Sequence, residues 1–379
     1  MNSKSVQAEW QDILKNEEKI LFGLRALYRQ YGYAQFRMRK FEEYDLYAGN
    51  KDFLVSGRVI TFQDTDGKLL ALKPDVTLSI VRSGRDEPGA IQKVYYQENV
   101  YRVAGYSSSF REIMQAGVEC IGAVDGYQVA EVVTLAAESL RRVSPEGVLA
   151  LSHLGAAGRL IREAGLSGES EKEALSCLSR KSAHEIRSLC LREGASAEAA
   201  ERLAALASLS GTPEEVLPRL CALGCEAEAA ELRQVTDALS GSEAAPMIRL
   251  DFSVVNDPAY YNGLIFQGYV EGVPRALLFG GYYGKLLRKF GKNLDAIGFA
   301  VYLNELDVLF RSQHGADVDA LILYDETADF SALLTEAESL RARGGGLRVR
   351  VEKKLPEDVR YDKLYRFTQN GLEEVGKDA

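Results

Sequence analysis

The chain has 379 residues, is 46% hydrophobic and carries a net charge of −9, from 46 Lys and Arg against 55 Asp and Glu. That length accommodates two or three domains with their own cores, and the acidic balance sets a repulsive average field against any polynucleotide. No stretch is long and apolar enough for a membrane span, and residues 1–10 carry charges where a signal peptide needs an apolar run, so a cytoplasmic protein is expected.

Apolar residues at Trp10, Ile13, Leu14, Ile20, Leu21, Leu24, Leu27 and Tyr28 keep the spacing of one helix face and predict an amphipathic helix over 10–28. From 33 to 143 the pattern changes to short runs rich in aromatic and β-branched residues (59–63, 69–72, 94–103, 113–121), parted by turns such as Asp66-Gly67. These predict an antiparallel sheet, closed by a helix over 128–143. Residues 153–245 contain no Phe, Tyr or Trp, while Ala, Leu and Glu dominate and Gly or Pro interrupt, which predicts an insertion of short helices. Strand patterning returns over 247–279, and 297–310 has helical spacing. An apolar run at 318–324, a helical stretch at 330–343, the terminator Gly344-Gly345-Gly346, a strand at 347–351 and a short helix at 361–367 predict a C-terminal α/β module of about two strands.

The reading is therefore an α+β chain: a split sheet domain over 8–152 and 246–312, a helical insertion over 153–245, and a short module over 315–379. The five cysteines follow no repeated spacing and read as reduced core residues. Cys221 and Cys225 lack a second ligand pair, and the glycine runs lack the lysine and hydroxyl of a phosphate loop, so neither metal nor other cofactor is expected.

Candidate chemistry concentrates in the sheet domain. Leu70-Ala71-Leu72-Lys73-Pro74-Asp75-Val76-Thr77 sets an acid and a hydroxyl just past a proline, where Asp75 serves either a pocket or as cap of the following helix. On the run from Arg111 to Gly122, Gln115, Gly117 and Glu119 alternate with apolar neighbours and share one face, either solvated or lining a ligand site. Tyr260-Tyr261-Asn262-Gly263 and Phe279-Gly280-Gly281-Tyr282-Tyr283-Gly284 combine flat hydrogen-bonding walls with close backbone approach.

Taken in order, these segments resemble the catalytic domain of histidyl-tRNA synthetases, a class II aminoacyl-tRNA synthetase fold, over about residues 8–310. Residues 70–77 are similar to that family's leucine–arginine–proline–glutamate–x–threonine segment, 95–119 to its motif 2 hairpin, and 260–266 to its tyrosine–tyrosine–threonine–glycine segment. The resemblance implies a histidine pocket built from Asp75, Thr77, Arg102, Gln115, Glu119, Tyr260, Tyr261 and Tyr283.

The same resemblance exposes losses. The adenine-side glutamate is Ala104, the motif 3 arginine falls at Glu305, Tyr302 replaces a motif 3 glycine, and the arginine before the tyrosine pair is absent from Asn256-Asp257-Pro258-Ala259. A carboxylate in place of a guanidinium beside a triphosphate is repulsive in the transition state. The motif 1 proline aligns with Arg39, and the C-terminal module is too short for an anticodon-binding domain.

A retained pocket without activation residues is what distinguishes the family's non-catalytic branch, the regulatory subunits of ATP phosphoribosyltransferase. That branch implies a non-enzymatic role in histidine biosynthesis, a hetero-oligomer with the short catalytic subunit, L-histidine as inhibitory effector, self-association as a dimer, and no tRNA or membrane partner. A working histidyl-tRNA synthetase, or a synthetase-like amino-acid-activating enzyme with another acceptor, is the other reading, and Ala104, Glu305 and Asn256 speak against it.

Overall fold

The computed structural model describes residues 14–50, 54, 58–84, 89–103, 109–255, 261–306, 309, 316–343 and 346–375. The chain divides into two compact units, Asn16–Asp307 and a second comprising Val308–Ala379 with Met1–Lys15.

In the first unit, α1 (Asn16–Gln30) leads to the short strands β1 (Ala34–Gln35) and β2 (Phe41–Glu43) and one turn of helix, α2 (Asp45–Ala48). β3 (Thr61–Gln63), β4 (Leu69–Leu72) and α3 (Thr77–Ser83) follow, then two strands of 13 residues each, β5 (Ile91–Val103) and β6 (Phe110–Gly122). α4 (Gly126–Val143) opens with a capping box in which Asp125 accepts from Tyr127 N and Gln128 returns to Asp125 N. β7 (Val148–His153) precedes the short helices α5 (Leu154–Glu163), α6 (Glu169–Ser179), α7 (Ala183–Arg192) and α8 (Ala197–Ala207). After β8 (Ser210–Gly211) come α9 (Pro213–Ala222) and α10 (Glu226–Leu239), then β9 (Ile248–Asp251), β10 (Leu264–Tyr269), β11 (Leu278–Tyr282), α11 (Gly284–Lys289) and β12 (Asp295–Tyr302).

Nine of these strands form one sheet in the order β1-β5-β6-β12-β11-β10-β7-β9-β8, and β2-β4-β3 form a second, small sheet. Pairing in the large sheet is antiparallel except at β1–β5 and β7–β9, which are parallel. One face packs on α1 and α4: Tyr28 meets the rings of Tyr95 and Phe299, and its hydroxyl bonds Ser139. On the other face, Val76, Leu78 and Ile80 of the α3 region and Leu286 and Leu287 of α11 form a buried cluster with Tyr96, Tyr283 and Ala296. That second face carries the candidate site.

Two helical expectations fail. Residues 297–302 belong to β12, a central strand with Ala296, Ile297, Phe299 and Val301 all buried, and helical backbone is confined to a 3-10 turn at Leu303–Leu306. A strand covered on both faces loses its alternation, so its apolar positions fit a helical spacing by coincidence. Residues 361–367 likewise form strand. In the second unit β13 (Val318–Leu323), α12 (Phe330–Arg341), β14 (Val349–Glu352), β15 (Tyr361–Thr368) and β16 (Gly371–Val375) build a four-stranded sheet in the order β14-β13-β15-β16. The module thus has four strands rather than about two, because β15 is inserted beside β13 and a tight turn adds β16.

Candidate effector-binding site

Side chains alternate across a strand, so Gln115, Gly117 and Glu119 of β6 point to one side of the sheet. Register sets Glu98, Tyr96 and Val94 of β5 against them on one flank, and Tyr302, Ala300 and Gly298 of β12 on the other. β11 adds Gly281, opposite Gly298. Gly117 and Gly281 lie along this row of facing side chains, here called the slot, at points where nothing larger fits. A Cβ at Gly117 would lie 2.1 Å from the Phe299 carbonyl oxygen, and one at Gly281 would lie 2.8 Å from Cδ1 of Tyr261.

Glu119 closes one end. It is 3% exposed, accepts a hydrogen bond of 2.7 Å from the Thr77 hydroxyl on Oε1 and another from the Tyr283 hydroxyl on Oε2. Burial pushes its carboxyl up to about 8, the two hydroxyls pull the other way, and the Asp75 charge adds to the rise. Burial likewise raises the hydroxyl of Tyr261, which packs against the clusters on this face and keeps its proton at neutral pH.

Gln115 and Arg102 mark the other end. Arg102 donates through Nε to the Pro74 carbonyl (2.6 Å), through Nη2 to Asp75 Oδ2 (3.3 Å) and through Nη1 to the Tyr302 hydroxyl (3.2 Å). Burial works against its charge, but Tyr302 and Asp75 more than offset that, so its proton is held harder than usual. Tyr302 is itself propped edge-on against Phe279, with ring centroids 5.3 Å apart. Of the two roles open in the sequence, the structure shows the cap: Asp75 accepts from Leu78 N at the start of α3 at 2.9 Å, and its other oxygen pairs with Arg102. Burial raises its carboxyl, and the Arg102 guanidinium opposes the rise.

Two features escaped sequence reasoning. Lys73, only 2% exposed, is ion-paired with Glu98, which also accepts from Met38 N. The alternation on β5 that sets Glu98 and Tyr96 on the same face as Gln115 and Gly117 was the available signal. Gln115 is 2% exposed, and its Nε2 is buried with no hydrogen-bond partner among the described residues, so it has a donor to spare for a ligand.

The arrangement is a row of buried groups on one face of the sheet, with a carboxyl at one end, an amide at the other, tyrosines beside them and the Tyr96 hydroxyl over Gly117 between them. Its ends are four strand residues apart, about 13 Å between Cα atoms, and the side chains reach inward over Gly117. It suits a flat, hydrogen-bonding ligand of a few heavy atoms that brings a positive charge to Glu119.

The histidyl-tRNA synthetase family model matches residues 11–306. Over 303 residues the chain is 31% identical to the ATP phosphoribosyltransferase regulatory subunit of Symbiobacterium thermophilum, which covers 77% of this chain and 75% of that protein. The chain belongs to this histidyl-tRNA synthetase-like family of ATP phosphoribosyltransferase regulatory subunits. Solved structures share the fold. An ATP phosphoribosyltransferase regulatory subunit/histidyl-tRNA synthetase from Bacillus halodurans superposes with a TM-score of 0.71 at 23% identity, covering 92% of this chain and 93% of that one. A chain of the ATP phosphoribosyl transferase (HisG:HisZ) complex from Thermotoga maritima gives a TM-score of 0.60 at 19% identity, covering 76% and 97%.

Of the positions that the resemblance to this regulatory-subunit family singled out, Thr77, Glu119 and Tyr283 are bonded together, and Asp75 and Arg102 form a second bonded group. Gln115 lies opposite Tyr302 in register, and Tyr261 is beside Gly281. Glu305 is half-buried in the 3-10 turn after β12. Tyr260, Ala104 and Asn256 lie outside the described residues. No helix among the described residues is long and apolar enough to cross a membrane.

Proposed function

We propose that this chain is a non-catalytic subunit that activates a short ATP phosphoribosyltransferase catalytic chain on assembly and transmits inhibition by L-histidine bound in the slot between Glu119 and Gln115. The observation that carries the reading is the contrast between the slot's two ends. Glu119, with Thr77 and Tyr283, keeps an intact acceptor for a cationic ring or amine, whereas Arg102, the motif 2 cation, is turned onto Asp75 and Tyr302. A synthetase needs that guanidinium, and a second at the position of Glu305, free for the phosphates and the reacting carboxylate, where charge develops in the transition state. With Tyr302 filling the place of a glycine and a carboxylate at 305, adenylate formation has lost its electrostatic support.

Asp75, Thr77, Arg102, Gln115, Glu119, Tyr261 and Tyr283, with Tyr260, are the residues assigned to the effector pocket. The split sheet domain over 8–152 and 246–312 holds it, the helical insertion over 153–245 belongs to the same compact unit and adds β8 to the sheet, and the module over 315–379 belongs to the other unit. The working form is a hetero-oligomer in which this chain also self-associates, and tRNA is not a substrate. The complex from Thermotoga maritima, whose name pairs two kinds of subunit, supports the assembly by analogy of fold.

The test is reconstitution. Mixed with a short catalytic chain, this protein should co-elute with it on size exclusion, and phosphoribosyl transfer should appear only when both are present and fall when histidine is added. A chain that stays separate and leaves transfer unchanged would overturn the proposal.

A further inference from the structure

We propose that the slot selects its ligand by a single positive charge beside an imidazole-like ring and does not require the ligand's carboxylate, so that imidazole amines compete with histidine. This deepens the effector reading above and rests on it.

The inference comes from pairing the charges that line the slot. Lys73 is matched by Glu98, and Arg102 by Asp75. Arg102 is further committed to the Pro74 carbonyl and the Tyr302 hydroxyl. Glu119 is left over: both its oxygens accept from neutral hydroxyls, and no cation among the described residues pairs with it. Two cations thus face two carboxylates, and a third carboxyl is buried with no charge among the described residues to match it. A buried ion without a counter-ion is costly, which is why burial holds Glu119 towards its protonated form.

A ligand carrying one ammonium or imidazolium completes the balance and lets Glu119 ionise into a charge-assisted hydrogen bond. A ligand carboxylate meets the reverse situation. The described cations at the slot, Lys73 and Arg102, already have partners. The carboxylate of a zwitterion can still touch Arg102 or the spare Gln115 donor, but it finds no unbalanced positive charge among the described residues. Affinity therefore resides in the ring and the cation.

The test is calorimetric titration of the whole chain, alone and assembled with the catalytic subunit, using L-histidine, histamine, which lacks the carboxylate, and imidazolepropionate, which lacks the amine. Histamine should bind within about threefold of histidine, and imidazolepropionate at least about a hundredfold more weakly. Glu119→Gln should shrink the gap between histamine and imidazolepropionate. If histidine binds while histamine is tenfold or more weaker, Arg102 or Gln115 forms a true carboxylate subsite and this inference alone falls. Equal binding of all three ligands would also overturn it. If histidine itself does not bind to either form, the effector reading fails and takes the inference with it.

Discussion

Gly298 faces Glu119 directly across the β12–β6 pair, and a Cβ on residue 298 would sit 1.8 Å from Glu119 Oε2. The carboxyl that is proposed to hold the effector occupies space that only a glycine leaves open. The other neighbour of that Cβ is the Val118 carbonyl oxygen at 2.5 Å, which belongs to the sheet backbone and cannot move aside cheaply.

Gly298→Ala should therefore displace Glu119 and lower histidine affinity by at least about tenfold, at an overpacking cost of roughly 1–3 kcal/mol. Titration calorimetry reads the affinity, and a thermal melt with circular dichroism shows that the variant is folded. Unchanged histidine binding in a folded variant would mean that the ligand does not use Glu119 in the position seen.

The pH dependence of stability probes the same carboxyl. Its folded-state value near 8 stands above the ordinary 4.5, so the folded protein holds this proton more tightly than the unfolded chain. Its contribution to stability is complete below about pH 4.5 and is lost as pH rises through 8. Glu119→Gln cannot ionise, and Asp75 is common to both proteins. The melting temperature of the variant minus that of the parent should thus climb between about pH 5 and about pH 9. A flat difference would mean that folding does not raise the Glu119 carboxyl.

Much of this site was legible because its residues sit on regular strands and next to a proline turn. The strand over 69–72 agrees with β4, and those over 94–103 and 113–121 lie within β5 and β6. Alternation alone put Gln115, Gly117 and Glu119 on one face. Contacts over long sequence separation were not legible. The Arg102–Tyr302 bond joins residues 200 positions apart, and Tyr302 could be read only as added bulk. The two failed helices share a cause. In β12 both faces are covered, and in β15 Tyr361, Leu364 and Tyr365 imitate helical spacing although the aromatic and β-branched composition favours strand. At Asp75 the cap reading is visible, one oxygen accepting from Leu78 N, while the Arg102 pair formed by the other oxygen was not legible in the sequence.

The proposed loss of adenylation is tested with the chain alone. Histidine-dependent exchange of pyrophosphate into ATP should stay at background, because Arg102 is held by Tyr302 and Asp75 and position 305 is acidic. Exchange well above background would show that Glu305 does not disable the reaction and would restore the synthetase reading.

The most direct measurement is the histidine inhibition curve of the complex assembled with the short catalytic subunit, recorded for the parent and for Glu119→Gln, each scaled to its own uninhibited rate. A charge-assisted hydrogen bond in an enclosed site contributes roughly 1.5–3 kcal/mol, so the substitution should shift the midpoint about ten- to a hundredfold towards higher histidine. A curve that stays where it was would place the regulatory site elsewhere and contradict the assignment of Glu119 as the effector's anchor.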